Sequence, residues 1–304
     1  MTGARARILF THFVNLSFTL FLSALFSTAV AEIQLTQAGG ESLNLPETAD
    51  NIITLAPNLA ELVFAAGAGK KLRAVVEYSN FPAAVKKLPR VGDAFRIDLE
   101  RIIEIQPDLI IAWKSGNPQT ALQKLEQLGF VVWQIEITQP DEIADTLESI
   151  AHAAGTEKHG LVAAQQLRDR LKRLRQNNAN KLPLEYFFQI AAKPLYTVNG
   201  EHLISRGLEI CAAENIFSDS PILAPQVSRE SVILADPQVM IATDIKGQAP
   251  SLDVWLDWPR LQAVKSQSLL YLPADVISQA SPRFLDGIEL ACKLLDDVRQ
   301  NIQQ

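Results

Sequence analysis

Basic residues, histidines and cysteines are all scarce in this chain. Lysine and arginine total 28 against 34 acidic residues, which gives a formal net charge of −6 at pH 7. A chain of this charge lacks the electrostatic attraction that holds nucleic acid or an anionic membrane surface. We therefore expect neither nucleic acid nor a membrane surface among its partners.

Signatures of catalysis are missing as well. The sequence contains no G-x-S-x-G elbow, no H-E-x-x-H pair and no cysteine nucleophile with a partner. Beyond the N-terminal region the histidines are His152, His159 and His202, and the first two fall on or beside predicted helices. This scarcity favours binding, without cofactor or metal, over catalysis. An exported hydrolase that uses carboxylates such as Asp93 and Asp275 is the alternative.

A targeting segment is predicted at the N-terminus. Arg5 and Arg7 precede an apolar stretch at 8–26, and the small residues at 29–31 have the A-x-A spacing of a signal-peptide cleavage site. A retained transmembrane anchor is the alternative, but polar residues interrupt the stretch and make it a poor span. We predict cleavage after Ala31 and an exported mature protein.

Only two cysteines occur, Cys211 and Cys292. Neither follows the apolar N-terminal stretch, so a lipid anchor is not indicated. In an exported protein an even pair favours a disulfide, which would stabilise the fold by roughly 4–5 kcal/mol in the chain-entropy model. Metal ligation is the alternative, but two cysteines without a histidine cluster do not make a zinc site.

One long helix is predicted at residues 156–180. Leucine and alanine recur at steps of three and four residues on one face, basic residues mostly occupy the other, and no proline interrupts the pattern. Thr156 is the expected N-cap. At 1.5 Å per residue the helix spans roughly 30 Å, which suits a strut between two halves. An ordinary surface helix within one large domain is the alternative.

Strand and helix patterns alternate on both sides of this helix, which indicates parallel βαβ units. Residues 98–112 and 228–242 repeat one pattern, in which a capping residue and a glutamate precede a short helix, a proline and a buried strand. We predict an α/β fold with two Rossmann-like lobes joined by a single long backbone helix. The predicted boundaries are a signal peptide at 1–31, a loosely ordered extension at 32–50, an N-terminal lobe at 51–155, the connecting helix at 156–180 and a C-terminal lobe at 181–304.

Aromatic residues cluster where predicted strands end, at Tyr78, Phe81, Phe95, Trp113 and Tyr196. Ligands of open α/β sheets bind beyond the carboxyl ends of the strands. Large rings with a polar tip suit a bulky, flat, partly apolar ligand. Packing in the core or at the rim is the alternative for any one ring, whereas the set favours a ligand cleft between the lobes.

Glu100 and Glu230 hold equivalent positions in the repeat, near the start of a short helix. They either stabilise the helix dipole, by about 0.3–1 kcal/mol each, or form one acidic knob per lobe that meets basic sockets on a symmetric partner. The residues alone leave both interpretations open.

Six local segments carry a resemblance to a known family: 51–67, 77–82, 99–117, 208–217, 225–230 and 280–283. In these segments the chain resembles the periplasmic binding proteins that carry cobalamin, haem or ferric siderophores, and among them the cobalamin binders. The resemblance implies a periplasmic monomer that captures a corrinoid in the cleft and delivers it to an inner-membrane ABC permease. A haem or siderophore binder, with Tyr78 as a possible axial ligand of haem, is the alternative within the family.

By position, the resemblance also implies roles for single residues. Tyr78, Trp113 and Tyr196 match aromatic residues that contact the ligand, and Asp275 matches an aspartate of the cleft. Glu100 and Glu230 match the two glutamates that dock onto the permease, and Cys211 and Cys292 match a disulfide pair.

The chain departs from the cobalamin binders at three positions of the cleft. It has Ala94, or Phe95 by a shift of one residue, and Ala224 where those proteins have tryptophans. It has Gln279 where they have an arginine. The aromatic wall is therefore expected to be thinner here, and one polar contact is expected to be lost.

Overall fold

The computed structural model describes residues 32–244 and 252–302. The predicted signal peptide and its cleavage site after Ala31 lie outside the described residues. Within the described ranges, no helix is both long enough and apolar enough to cross a membrane.

The first part of the chain forms a hairpin and a parallel α/β lobe. The hairpin pairs β1 (Ile33–Thr36) with β2 (Ser42–Leu45). The strands of the lobe are β3 (Ile52–Thr54), β4 (Leu72–Val75), β5 (Leu109–Trp113) and β6 (Val132–Ile135). Its helices are α1 (Pro57–Ala65), α2 (Leu99–Ile105), α3 (Gln119–Gln127) and α4 (Glu142–Ala153), with a 3-10 helix at Ala83–Lys87. The strands are parallel, in the order β4-β3-β5-β6.

A helix of 22 residues, α5 (Glu157–Asn178), leads to the second lobe. The strands there are β7 (Leu184–Gln189), β8 (Ala191–Ala192), β9 (Leu195–Tyr196), β10 (Ala213–Asn215), β11 (Val239–Asp244) and β12 (Leu269–Pro273). The helices are α6 (Leu203–Glu209), α7 (Arg229–Ala235), α8 (Gln262–Lys265), α9 (Ala274–Ile277) and α10 (Phe284–Ile302), with a 3-10 helix at Leu252–Trp255. The main sheet is parallel in the order β10-β7-β11-β12, and β8 pairs with β9 as a small antiparallel hairpin.

The two sheets share one strand order, and the predicted repeat is found at the same place in each. In both lobes the third strand in the sheet order, β5 or β11, follows a short helix. Asp98 and Ser228 each cap that helix by accepting a hydrogen bond from the backbone N–H three residues on. Gln106 and Asp236 end the helices in the left-handed conformation, with φ of 51° and 48°. The predicted fold of two similar α/β lobes on a long helix is confirmed.

The segment at 32–50 is ordered, which contradicts the prediction of a loose extension. Ile33, Leu35 and Leu45 of the hairpin are buried. The backbone N–H of Ala38 donates to the carbonyl oxygen of Gln134 at 2.9 Å, so the hairpin covers the outer edge of β6. A short alternating strand gains its burial from a distant part of the chain, and its own residues do not reveal that contact.

Helix α5 is packed between the lobes and not free in solvent. Its arginines hold helices on both sides, since Arg168 Nη1 donates to Glu148 Oε1 of α4 at 2.5 Å and Arg170 Nε donates to Glu289 Oε1 of α10 at 3.0 Å. One apolar core continues from the first lobe through α5 into the second, and the residues that α5 contributes to it include Ala164, Leu167 and Leu171. The strut is therefore part of the core that joins the lobes.

Candidate functional site

A cavity of about 350 Å³ opens between the two sheets. Residues that end or follow β3, β5 and β6 form one wall, and residues of β7, β11 and the start of α6 form the other. The volume lies near the lower end for small-molecule sites. The lining is mainly apolar and includes Leu59, Ile135, Phe188, Ile190, Leu203 and Leu223. Both sheets thus direct their carboxyl ends toward one concave, mainly apolar site, as open α/β sheets do at ligand sites.

Trp113 lines this cavity and is fixed in place from three sides. Asn117 Oδ1 accepts from the Trp113 backbone N–H at 2.7 Å, and the indole Nε1 donates to Glu136 Oε1 at 3.1 Å. Gly116 leaves room for the ring, because a Cβ there would lie 1.8 Å from the ring carbon Cε3. The indole is therefore held as a rigid wall, and the sequence prediction placed it correctly at a strand end.

Tyr78 and Phe95 lie on two adjoining loops beyond the carboxyl ends of the first sheet. The loops meet where the N–H of Glu77 donates to the carbonyl oxygen of Gly92 at 2.8 Å. Both rings are outside the cavity lining and are exposed by 79% and 73%. Tyr78 also has φ of 66°, a conformation that residues with a side chain rarely adopt. Backbone strain of this kind clusters at active sites, ligand clamps and switch regions.

Tyr196 and Asp275 lie in the second lobe near the cavity but do not line it. Tyr196 is half-buried in the small hairpin, and its carbonyl oxygen accepts from the N–H of the cavity residue Ile190 at 2.9 Å. Asp275 is exposed at the start of α9, and its Oδ2 lies 3.5 Å from Arg283 Nη1. Of the five predicted ligand residues, the cavity lining contains Trp113 alone.

A buried carboxylate joins the two lobes beside the cavity. Glu61 of α1 accepts from Ser281 Oγ at 2.6 Å and from Arg283 Nε at 3.1 Å, both from the second lobe. The guanidinium of Arg283 also covers the ring of Phe81 at 4.2 Å and donates to the backbone carbonyl of Asp275. Burial raises the pKa of Glu61, while the hydrogen bonds from Ser281 and Arg283 oppose the rise. This cluster fixes the Phe81 loop against the second lobe.

His202 lines the cavity, and its role was not predicted from the sequence. It is the N-cap of α6, where its Nδ1 accepts from the N–H of Ile204 at 3.2 Å. Burial lowers the pKa of His202, which favours the neutral ring. The one available signal was its place just after the turn at Asn199 and Gly200, which starts a helix.

The two glutamates of the repeat are exposed, each in the first turn of its helix. A helix that leads into a strand of a parallel sheet runs antiparallel to it, so its start lies at the carboxyl edge of the sheet. Glu100 and Glu230 therefore occupy equivalent places at the edges that border the cavity. At Glu230 the backbone N–H and then the Ser228 hydroxyl lower the pKa of the carboxyl, which keeps it ionised.

The predicted disulfide is confirmed. Cys211 and Cys292 are bonded, with their Cα atoms 4.8 Å apart and a sequence separation of 81. The bond ties the end of α6 to α10, so it lies within the second lobe. Among the described residues, no group of three or more His, Cys, Asp or Glu side chains has a metal-binding arrangement.

The protein has two α/β lobes, each with a parallel sheet, joined by one helix, and a ligand-sized cavity lies between the carboxyl edges of the sheets. These features define a two-lobed solute-binding protein. Residues 52–276 match the family described as Periplasmic binding protein. The chain belongs to this family.

Relatives within the family are similar over most of their length. The vitamin B12-binding protein of Vibrio cholerae is 39% identical over 251 residues, which cover 82% of this chain and 90% of that protein. The vitamin B12-binding protein of Yersinia pestis is 36% identical over 258 residues, which cover 84% of this chain and 90% of that protein. The resemblance stated from the sequence is confirmed.

Solved structures agree with this assignment. The crystal structure of the periplasmic vitamin B12-binding protein BtuF of Vibrio cholerae matches with a TM-score of 0.76 at 38% identity, covering 83% of this chain and 98% of that chain. The periplasmic heme-binding protein RhuT from Roseiflexus sp. RS-1 matches with a TM-score of 0.72 at 20% identity, covering 82% and 99%. At that identity the second match concerns the fold alone.

Proposed function

We propose that this protein captures cobalamin in the cleft between its lobes and delivers it to an inner-membrane ABC permease. The observation that carries the proposal is the 39% identity to a vitamin B12-binding protein over 82% of the chain. The apolar cavity with the fixed indole of Trp113 supports it, because a flat macrocycle binds well against a rigid aromatic wall. Binding and release make and break no covalent bond, so the protein acts as a carrier and not as an enzyme.

The shape of the cleft suits a ligand larger than the cavity. A corrinoid would fill about 350 Å³ with one part and extend with the rest into the open mouth. Tyr78 and Phe95 are available there as exposed rings, and Tyr196 and Asp275 border the other side. Gln279, which stands where the cobalamin binders have an arginine, lines the cavity. Leu223 lines it too, and the neighbouring Ala224 stands where those proteins have a tryptophan.

Titration calorimetry of the purified mature protein tests the proposal. We expect cyanocobalamin to bind at one site per chain, and hemin and a ferric siderophore to bind much more weakly. No heat with cyanocobalamin together with tight binding of hemin would reassign the protein to haem transport.

Export and oligomeric state are part of the same proposal. We expect a monomer in the periplasm, without a cofactor, whose signal peptide is removed after Ala31. Intact-mass measurement of material taken from the periplasm checks the cleavage site, and light scattering checks the monomer.

Trp113→Ala is expected to weaken cyanocobalamin binding by about 10- to 30-fold, or about 1.4–2 kcal/mol. The indole is one stacking surface among several, so its loss weakens binding without abolishing it. Trp258→Ala serves as the control, because Trp258 packs on Trp255 and Arg229 away from the cavity lining. Equal affinities for wild type and a folded Trp113→Ala variant would assign the indole to packing alone.

The double variant Glu100→Ala with Glu230→Ala is expected to bind cyanocobalamin with unchanged affinity but to associate less with the cognate permease. The two carboxylates stand one on each lobe, so they suit paired arginines on a two-fold symmetric partner. Complex formation should fall and lose part of its dependence on salt concentration.

The matched control for this variant is Glu185→Ala with Glu214→Ala. It removes the same charge from two exposed carboxylates on adjacent strands of the second lobe. If both double variants weaken the complex equally, the effect is one of net charge and the docking role is wrong. A drop in ligand affinity for Glu100→Ala with Glu230→Ala would equally contradict it.

A further inference from the structure

The histidine in the cavity wall is held in one tautomer. A neutral imidazole has one nitrogen that donates and one that accepts a hydrogen bond. The backbone N–H of Ile204 can only donate, so His202 Nδ1 is the accepting nitrogen in their 3.2 Å hydrogen bond. The proton of the neutral ring is therefore on Nε2.

The Nε2–H group of His202 has no partner among the residues that the structure describes. Part of the surrounding wall is apolar, with Leu203, Ile204 and Leu223 all lining the same cavity. Because His202 lines the cavity and its Nδ1 is engaged at the helix start, Nε2 is the ring nitrogen that remains for a ligand. A ligand bound there would remove water from this N–H group. Burial of an unpaired donor is costly, so the site favours a ligand that offers an acceptor there.

The fixed tautomer also determines what the histidine does toward a metal. Coordination uses the lone pair of a ring nitrogen, but Nδ1 is engaged at the helix start and Nε2 carries the proton. Coordination through Nε2 would require moving the proton to Nδ1, where it would face the Ile204 N–H and break the cap.

From these contacts we infer that His202 determines ligand specificity by donating its Nε2–H to a carbonyl oxygen on the edge of the ligand, and that it does not coordinate the ligand's metal. This inference rests on the proposed function and refines it. The ligand class is a macrocycle whose edge carries carboxamide groups, as the corrin of cobalamin does. A porphyrin that needs an axial histidine is disfavoured.

Two substitutions separate the helix cap from the ligand contact. In His202→Asn the amide oxygen takes the place of Nδ1 and keeps an N-cap acceptor, but the side chain no longer reaches the ligand. In His202→Gln the amide N–H takes the place of the Nε2–H, whereas the cap is lost. His152→Asn is the control, because His152 is exposed and lies outside the cavity lining.

We expect His202→Asn to raise the Kd for cyanocobalamin about ten-fold, with an unchanged Tm. His202→Gln should keep the Kd within about three-fold of wild type but lower the Tm by about 2–4 °C. His152→Asn should change neither quantity. The absorption spectrum of hemin mixed with the protein should be the same for wild type and His202→Asn.

Each opposite result overturns the inference. These results are a wild-type Kd for His202→Asn, an equal loss of affinity in the two His202 variants, and a Soret band of hemin that depends on His202. Failure of the wild-type protein to bind cyanocobalamin is a different outcome, because it removes the proposed function and this inference with it.

Discussion

Replacing Arg283 by alanine is expected to lower the free energy of unfolding by about 3–5 kcal/mol. Arg283 is the ion-pair partner of Glu61, whose side chain is only 7% exposed. Removal of the guanidinium leaves a buried carboxylate that keeps its hydrogen bond from the hydroxyl of Ser281. Urea unfolding at pH 7 measures the loss, and the variant should also loosen the Phe81 loop that Arg283 covers.

The loss of stability should depend on pH in one direction. The pKa of Glu61 is raised in the folded protein, so this group contributes stability that is present below its unfolded-state pKa of about 4.5 and is lost as the pH rises through its folded-state pKa. Without Arg283 the folded-state pKa rises further. The difference in free energy of unfolding between Arg283→Ala and wild type should therefore be small near pH 4.5 and should increase toward pH 7.

Two further variants make this test specific. Arg101→Ala removes an exposed arginine that pairs with Glu104, and such surface pairs contribute about 0–1 kcal/mol. Adding Glu61→Gln to Arg283→Ala removes the unpaired charge and should restore part of the stability. If Arg283→Ala costs no more than Arg101→Ala, the cluster does not hold the lobes together.

Replacing both Cys211 and Cys292 by alanine is expected to lower the free energy of unfolding by about 4–5 kcal/mol. The bond closes a loop of 81 positions, so its removal gives the unfolded chain a large gain in conformational freedom. Both cysteines are buried, and the loss of sulfur packing adds a smaller cost. Urea unfolding of the oxidised wild type and of the double variant gives the difference.

The reduced wild-type protein is the matched comparison for the double variant. Its free energy of unfolding should equal that of the double variant, apart from the small contribution of the sulfur contacts that the variant lacks. The free energy of unfolding should fall more steeply with urea concentration in the reduced protein and in the double variant than in the oxidised wild type. The reason is that an unlinked chain exposes more surface on unfolding. A difference below about 1 kcal/mol between oxidised wild type and the double variant would show that the unfolded state is already compact.

The fold was predictable where one segment carries its own pattern. Helix α5 has the predicted extent within two residues, and the buried strand predicted at the end of the repeat at 98–112 is found as β5, because periodicity and buried runs are local properties. The hydrogen bonds at the starts of helices could not be predicted from the local sequence, because they depend on the surrounding structure. Thr156 lies at the N-cap position, but its hydroxyl donates to the carbonyl oxygen of Ala66, 90 positions away. Asparagine is a common N-cap residue, but Asn58 lies inside α1, because Pro57 begins the helix.

The boundaries of some elements also depend on distant parts of the chain. Helix α6 ends at Glu209, and β10 begins at Ala213. The change from helix to strand follows from pairing of β10 with β7, which lies almost 30 positions earlier in the sequence. Local propensity does not reveal such pairing.

The site was predictable in part. Trp113 was found because an aromatic residue at the end of a buried strand is a local signal. Glu61 and Arg283 were missed because their contact joins positions 222 apart and exists only when the lobes are assembled. His202 was missed because its place in the cavity lining and its hydrogen bond at the start of a helix both depend on the folded structure.

The continuous core through α5 has a consequence for the rate at which cargo is exchanged. Swinging the lobes widely apart would expose apolar surface of that core, at about 25 cal/mol for each Å². An opening that exposes 200 Å² would thus cost about 5 kcal/mol and would occur in only about one molecule in several thousand. Spontaneous escape of a bound molecule by this route is slow. Under the proposed function, rapid unloading would require the receiving transporter to supply the work that parts the lobes, and cargo would be retained until that encounter.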